Sequence, residues 1–195
     1  MELSSKMIGV YSMDNILFQS FQNVRKVVEN SIKLLRDADA LMSDKGYIPI
    51  LGNGLATETS KSILQTPDSY NTLIPQYMAR PYGSKLQLES NKLDHLLIIN
   101  VQFTHPLHEQ LIPSIAAGKL AFEHSTENIR NKFKPWFMKY AIYEADLKID
   151  LFNETLYMCN PFIDSDDKFT FSIKPLSTIQ SNNDVIKIVE DMCKL

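Results

Sequence analysis

From Asp14 to Asp44 the apolar residues return at intervals of three and four. Leu17, Phe21, Val24, Val28, Leu35, Ala38 and Met42 hold this spacing, with Ser31 filling one slot. Val27, Ile32, Leu34 and Leu41 widen the stripe, and Arg25, Lys26, Glu29, Asn30, Lys33, Arg36 and Asp37 take the other side. That periodicity predicts one long amphipathic helix. Ser12 or Asp14 is the expected cap at its start and Gly46 the expected stop. Such a helix spans about 45 Å at a rise of about 1.5 Å per residue, more than a small domain needs. Its apolar arc is also wider than one partner surface usually covers. Either it is a fully buried core helix, or it buries one side on its own domain and offers the other to a second copy.

The pattern then changes. Tyr47 to Leu51 is a short β-type run, broken by Gly52-Asn53-Gly54. Thr57 to Leu64 and Ser69 to Arg80 read as two short helices, punctuated by Pro67 and Pro81, with Asp68 capping the second. Ser84 to Asp94 is polar and charged and reads as a loop. Leu96 to Phe103 is almost continuously apolar, the mark of a central buried strand. Ile112 to Glu123 is a second strand, with Gly118 at a bulge. Asn128 to Tyr143 is ambiguous between helix and strand because Pro135 interrupts it. Lys148 to Phe152 and Leu156 to Cys159 flank Asn153-Glu154 as a hairpin. Asp164 to Asp167 forms an acidic turn. Lys168 to Lys174 alternates cleanly, with Phe169, Phe171 and Ile173 inward. Asn182 to Asp184 caps a last helix through Met192.

Helices in front, strands clustered behind and a final helix predict an α+β domain. The long N-terminal helix and short helices pack on a mainly antiparallel sheet. The expected organisation is one domain over 1–195, with a helical front at 1–83, a strand-rich part at 94–176 and the C-terminal helix at 182–193. Composition agrees: 195 residues, 44% of them hydrophobic and 22% charged, are enough for a core without staples.

Charge and cysteine usage narrow the functional classes. A net charge of -3 does not favour generic nucleic-acid binding, which needs a cationic surface. The two cysteines, Cys159 and Cys193, are too few for a disulfide scaffold and read as small buried hydrophobes. No window reaches the roughly 20 apolar residues of a membrane span, and the first residues lack a signal-peptide pattern. The cytoplasm is the default location.

No motif names a reaction or a cofactor. Gly52-Asn53-Gly54 leads towards Lys61-Ser62, but Ser60 stands where a phosphate loop needs glycine. The favoured reading is a turn. His105 and His108, with Glu109 beside them and His124 at the end of the next strand, form a candidate metal site if the two strands pair. A nearby carboxylate, Glu109 or Glu123, would then activate water. A polar loop with exposed histidines is the simpler reading. Carboxylate pairs occur at Asp37/Asp39, Glu144/Asp146 and Asp164/Asp166/Asp167, and the last reads as a solvated turn. Arg130, Lys132, Lys134 and Lys139 interleave with Phe133, Trp136, Phe137 and Tyr140, a pattern that can bind a nucleic-acid strand or meet a membrane surface; the favoured reading is a half-buried edge element. Arg80 between Tyr77 and Tyr82 can face an anionic ligand, with Trp136 completing a pocket; the favoured reading is an arginine tying a loop to the sheet.

The leading expectation is a non-catalytic regulatory or accessory protein. It acts by self-association, as a homodimer through the N-terminal helix, or by holding a protein partner. The alternatives are a small-molecule enzyme, in the form of a metal-assisted hydrolase at His105, His108 and His124, or a ligand-sensing module at Arg80, Tyr82 and Trp136.

Overall fold

The computed structural model describes residues 2–57, 75–105, 108, 110–127, 142, 147–161 and 166–195, with side chains of 2–12 and 126 excepted. The chain divides into two compact units, Met1–Arg36 and Asp37–Leu195.

The first unit is helical. Helix α1 runs Glu2–Asp44, so it begins before the expected caps. Ser12 and Asp14 lie inside it. A polar residue can stand mid-helix when its side chain faces solvent, and Asp14 is exposed. The far end is as the sequence predicts. Gly46 takes a positive φ of 79°, and its N–H donates to the carbonyl of Ser43 at 3.0 Å, an end that glycine adopts without strain.

The second unit is built on an antiparallel sheet. Among the described residues its strands are β1 Tyr47–Pro49, β2 Ala56–Thr57, β3 Tyr77–Ser84, β4 Leu93–Gln102, β5 Ser114–Thr126, β6 Leu156–Cys159 and β7 Lys168–Pro175. Their order is β1-β3-β4-β5-β7-β6, with β2 also pairing β3. A short helix α2, Lys85–Glu89, joins β3 to β4, and helix α3, Asn182–Cys193, closes the chain. The fold is α+β, with β4 in the interior of the sheet as its apolar run predicts. Leu96, Leu97, Ile98, Ile99 and Val101 are all buried.

Each face of the sheet has its own cover. One face carries Ile98, Ala116, Leu120, Phe169, Phe171 and Ile173 in a cluster that also includes Ile50, Ile142 and Cys159. The rings of Phe169 and Phe171 stack with centroids 4.9 Å apart. The other face presents Leu97, Ile99 and Ile115. There α3 packs against β5, burying Val185, Ile188, Val189 and Met192. Lys119 of β5 donates to the carbonyl of Leu195 at 3.1 Å. The cap of α3 is Ser181, one residue before the predicted site, in a capping box with Asp184.

Several expectations are corrected. Tyr77 to Arg80 is strand, not the end of a helix, and Pro81 sits inside β3 opposite Ile98. In an antiparallel strand the N–H and C=O of one residue point to the same neighbour. The carbonyl of Pro81 accepts from Ile50 N–H on the outer side, so its missing donor costs the β4 ladder nothing. Thr57 belongs to β2, while 58–64, 69–74 and Pro67-Asp68 lie outside the described residues. The segment expected as a loop contains α2, with Asn91 turning at a φ of 54°. Lys148 to Phe152 forms no strand; β6 pairs with β7 instead. Gly118 is not at a bulge, for the register runs evenly from Ile98 through Gly118 to Phe171. A Cβ there would lie 2.7 Å from Phe171 Cα, so glycine is needed for close strand approach. The irregularity in that ladder falls between Leu93 and His95. Of Asn128 to Tyr143 only Ile142 is described.

Candidate functional site

Arg80 and Tyr82 are two positions apart on β3 and therefore point to one face. Both reach Asp39 on α1. The guanidinium Nε donates to Asp39 Oδ1 at 2.9 Å and Oδ2 at 3.2 Å, and Nη2 donates to Oδ2 at 2.6 Å. Nη1 donates to the carbonyl of Gly54. The Tyr82 hydroxyl donates to Asp39 Oδ1 at 2.9 Å. Only 7% of the Arg80 side chain and 27% of Asp39's is exposed. Hydrogen bonding to the carboxylate raises the pKa of Arg80. Burial, then the Asp39 charge, pushes Tyr82 far above its ordinary range.

The cluster joins helix, sheet and the Gly52-Asn53-Gly54 turn. Arg80's fork is used on a carboxylate and a backbone carbonyl, the geometry guanidinium favours. An anionic ligand at Arg80 would have to displace Asp39. Trp136, the third expected member of this pocket, lies outside the described residues. So does Lys61-Ser62. Asp39 is the partner that local reading missed, having been grouped with Asp37 as one carboxylate pair. A signal was present: at about 100° per residue Asp39 falls within the apolar arc of α1, beside Leu35 and Met42. A charge on the buried side of a helix requires a partner.

The histidines part company. His105 is buried, and its ring lies 4.7 Å from that of His108. His124 is at the other end of the sheet. The strands do pair, but the register sets Gln102 opposite Ser114 and Leu93 opposite Thr126. His124 therefore lies about 30 Å from His105, the length of a strand such as β4. It is exposed, with Glu123 at 3.7 Å. Among the described residues no cluster of three or more His, Cys, Asp or Glu is placed to hold a metal. Glu109 is outside them. Asp167, from the acidic turn, is buried and accepts from Glu123 N–H at 2.8 Å.

His108 borders an open cavity of about 570 Å³, lined also by Leu111, Ile142, Leu147, Ile149 and Leu151. Cys159 is buried in the adjoining core, and burial pushes its thiol up to about 11. A thiol so protonated is a poor nucleophile.

The remaining candidate surface is on α1. Met13, Ile16, Leu17, Phe18, Phe21, Val24 and Val27 are exposed, Phe21 at 69%. Farther along the same row Ser31, Leu35, Ala38 and Met42 are buried. Among the described residues no helix is long and apolar enough to cross a membrane. No protein-family model, curated protein or solved structure matches this chain.

Proposed function

We propose that the chain is a regulatory or accessory protein that acts by protein–protein association through the first half of α1. The exposed stripe Leu17, Phe18, Phe21, Val24 and Val27 carries this reading. Contiguous apolar surface of this kind marks association sites, whereas scattered exposed residues do not. Leu17, Phe21, Val24 and Val27 belong to the arc, running on to Met42, that the sequence shows as wider than one partner surface usually covers.

Light scattering on the full chain at tens of micromolar tests the reading. The expected mass exceeds the 22.3 kDa of one chain, and Phe21→Glu is expected to shift the mass back towards it. Phe21 is exposed in the single chain, so Phe21→Glu should leave a folded monomer with the far-ultraviolet circular dichroism of the unmodified chain, its thermal midpoint lowered only by the loss of association. A mass of one chain at all concentrations sinks self-association.

A second reading is a ligand-sensing module. It is favoured by the cavity at His108, Leu111 and Ile142, where an apolar body with one polar end would fit.

A further inference from the structure

We propose that the stripe on α1 is covered by a second copy of the same helix, running antiparallel and centred between Gln19 and Ser20. This deepens the association reading and rests on it.

The placement of charge carries the argument. Asp14 stands near one end of the exposed stripe, and Arg25 and Lys26 near the other. Residues 15–24 between them carry no charge. All three charged side chains are exposed. At 3.6 residues per turn, Leu17 and Val24 form the middle of the stripe. Asp14 and Arg25 then fall together on one flank. Met13, Ser20 and Val27 fall on the other, and Lys26 faces away.

Two copies can pair in either direction, and the flanks decide between them. In an antiparallel pair each flank meets the same flank of the other helix. Asp14 then stands level with Arg25 of the second copy, and the two-fold repeats the contact at the far end. On the opposite flank Met13 lies within about one residue, about 1.5 Å, of level with Val27, and the two Ser20 residues stand beside the centre. Ser20 suits that centre, since it is small and its hydroxyl donates back to the Ile16 carbonyl at 2.8 Å. In a parallel pair, unlike flanks meet. Asp14 and Arg25 would then each oppose the Met13, Ser20 and Val27 row, leaving their charges against apolar surface without a partner. The midpoint of Asp14 and Arg25 coincides with the middle of the uncharged stretch, so one register satisfies both charge and apolar contact.

Charge reversal in the full chain tests this, read by light scattering or sedimentation. Asp14→Arg and Arg25→Asp alone are each expected to weaken dimerisation about tenfold, by the scale of exposed ion pairs. The double variant is expected to recover most of that loss. Mixed Met13→Cys and Val27→Cys proteins, oxidised together, are expected to give chiefly the 13–27 disulfide by mass mapping. Failure of the double variant to recover overturns the antiparallel register, as does a Val24→Cys homodisulfide formed in the absence of any 13–27 product. Both results leave association through α1 standing. A mass of one chain at every concentration overturns the association itself.

Discussion

Arg80, in the middle of β3, donates three hydrogen bonds to Asp39, 41 residues earlier on α1. The pair is largely out of water, and Tyr82 adds a further donor to the same carboxylate. Removing one member of such a pair strands the other's charge in a poor solvent. Asp39→Ala is expected to destabilise the fold by about 3 kcal/mol. Arg80→Met in that background should recover part of the loss, because neither charge then remains. Urea unfolding of the two single variants and the double checks this. Additive losses would refute the coupling.

Gly118 sits where β5 and β7 approach closely. A Cβ at this position would collide with the Thr170 carbonyl oxygen and lie 2.7 Å from Phe171 Cα. Both obstacles are backbone, so no side chain can swing aside. Gly118→Ala is expected to cost about 3 kcal/mol or to prevent folding. Circular dichroism melting reads the loss, and an unchanged midpoint would show that β5 and β7 are not so close.

Gln76 precedes β3 and is fully buried, yet neither side-chain polar atom has a protein partner among the described residues. Its carbonyl is used, accepting from Phe103 and Thr104 N–H groups. Replacing a buried unsatisfied amide with an apolar group of similar size removes its desolvation cost. Gln76→Leu should therefore raise stability by about 1 kcal/mol, read as a higher urea midpoint. A lower midpoint would show that the amide is satisfied in solution.

His95 gives the fold a dependence on pH. Its pKa is lowered from 6.5, first by burial and then by the charge of Lys119, against a smaller opposing effect of Asp94. Tyr47 Oη lies 3.3 Å from its Nε2. The unfolded chain takes up the proton before the folded one does. This contribution to stability is therefore full above about pH 6.5 and is lost as pH falls below it. The fall in urea midpoint from pH 7.5 to 5.5 should be smaller in His95→Gln than in the unmodified chain. Equal slopes would exclude His95 as a source.

The sequence by itself determined the elements whose signal is local. The three-four spacing of α1, the apolar run of β4 and the alternation of Phe169, Phe171 and Ile173 each follow from where neighbouring side chains point. Gly46 as the end of α1 belongs here too, since left-handed φ is a property of one residue. Tertiary structure decided whatever depended on a distant neighbour. Pro81 reads as a breaker until β3 is seen to turn that residue's missing donor away from β4. Gly118 looks like a bulge until β7 is seen to crowd it. Asp39 and Arg80 each look unpartnered until the chain brings them together. His105 and His124 read as companions because β4 and β5 were expected to pair. They do pair, but antiparallel register carries the two histidines to opposite ends of the sheet. In each case the deciding contact joins residues far apart in sequence, and side-chain periodicity holds no information about which distant strand or helix will lie alongside.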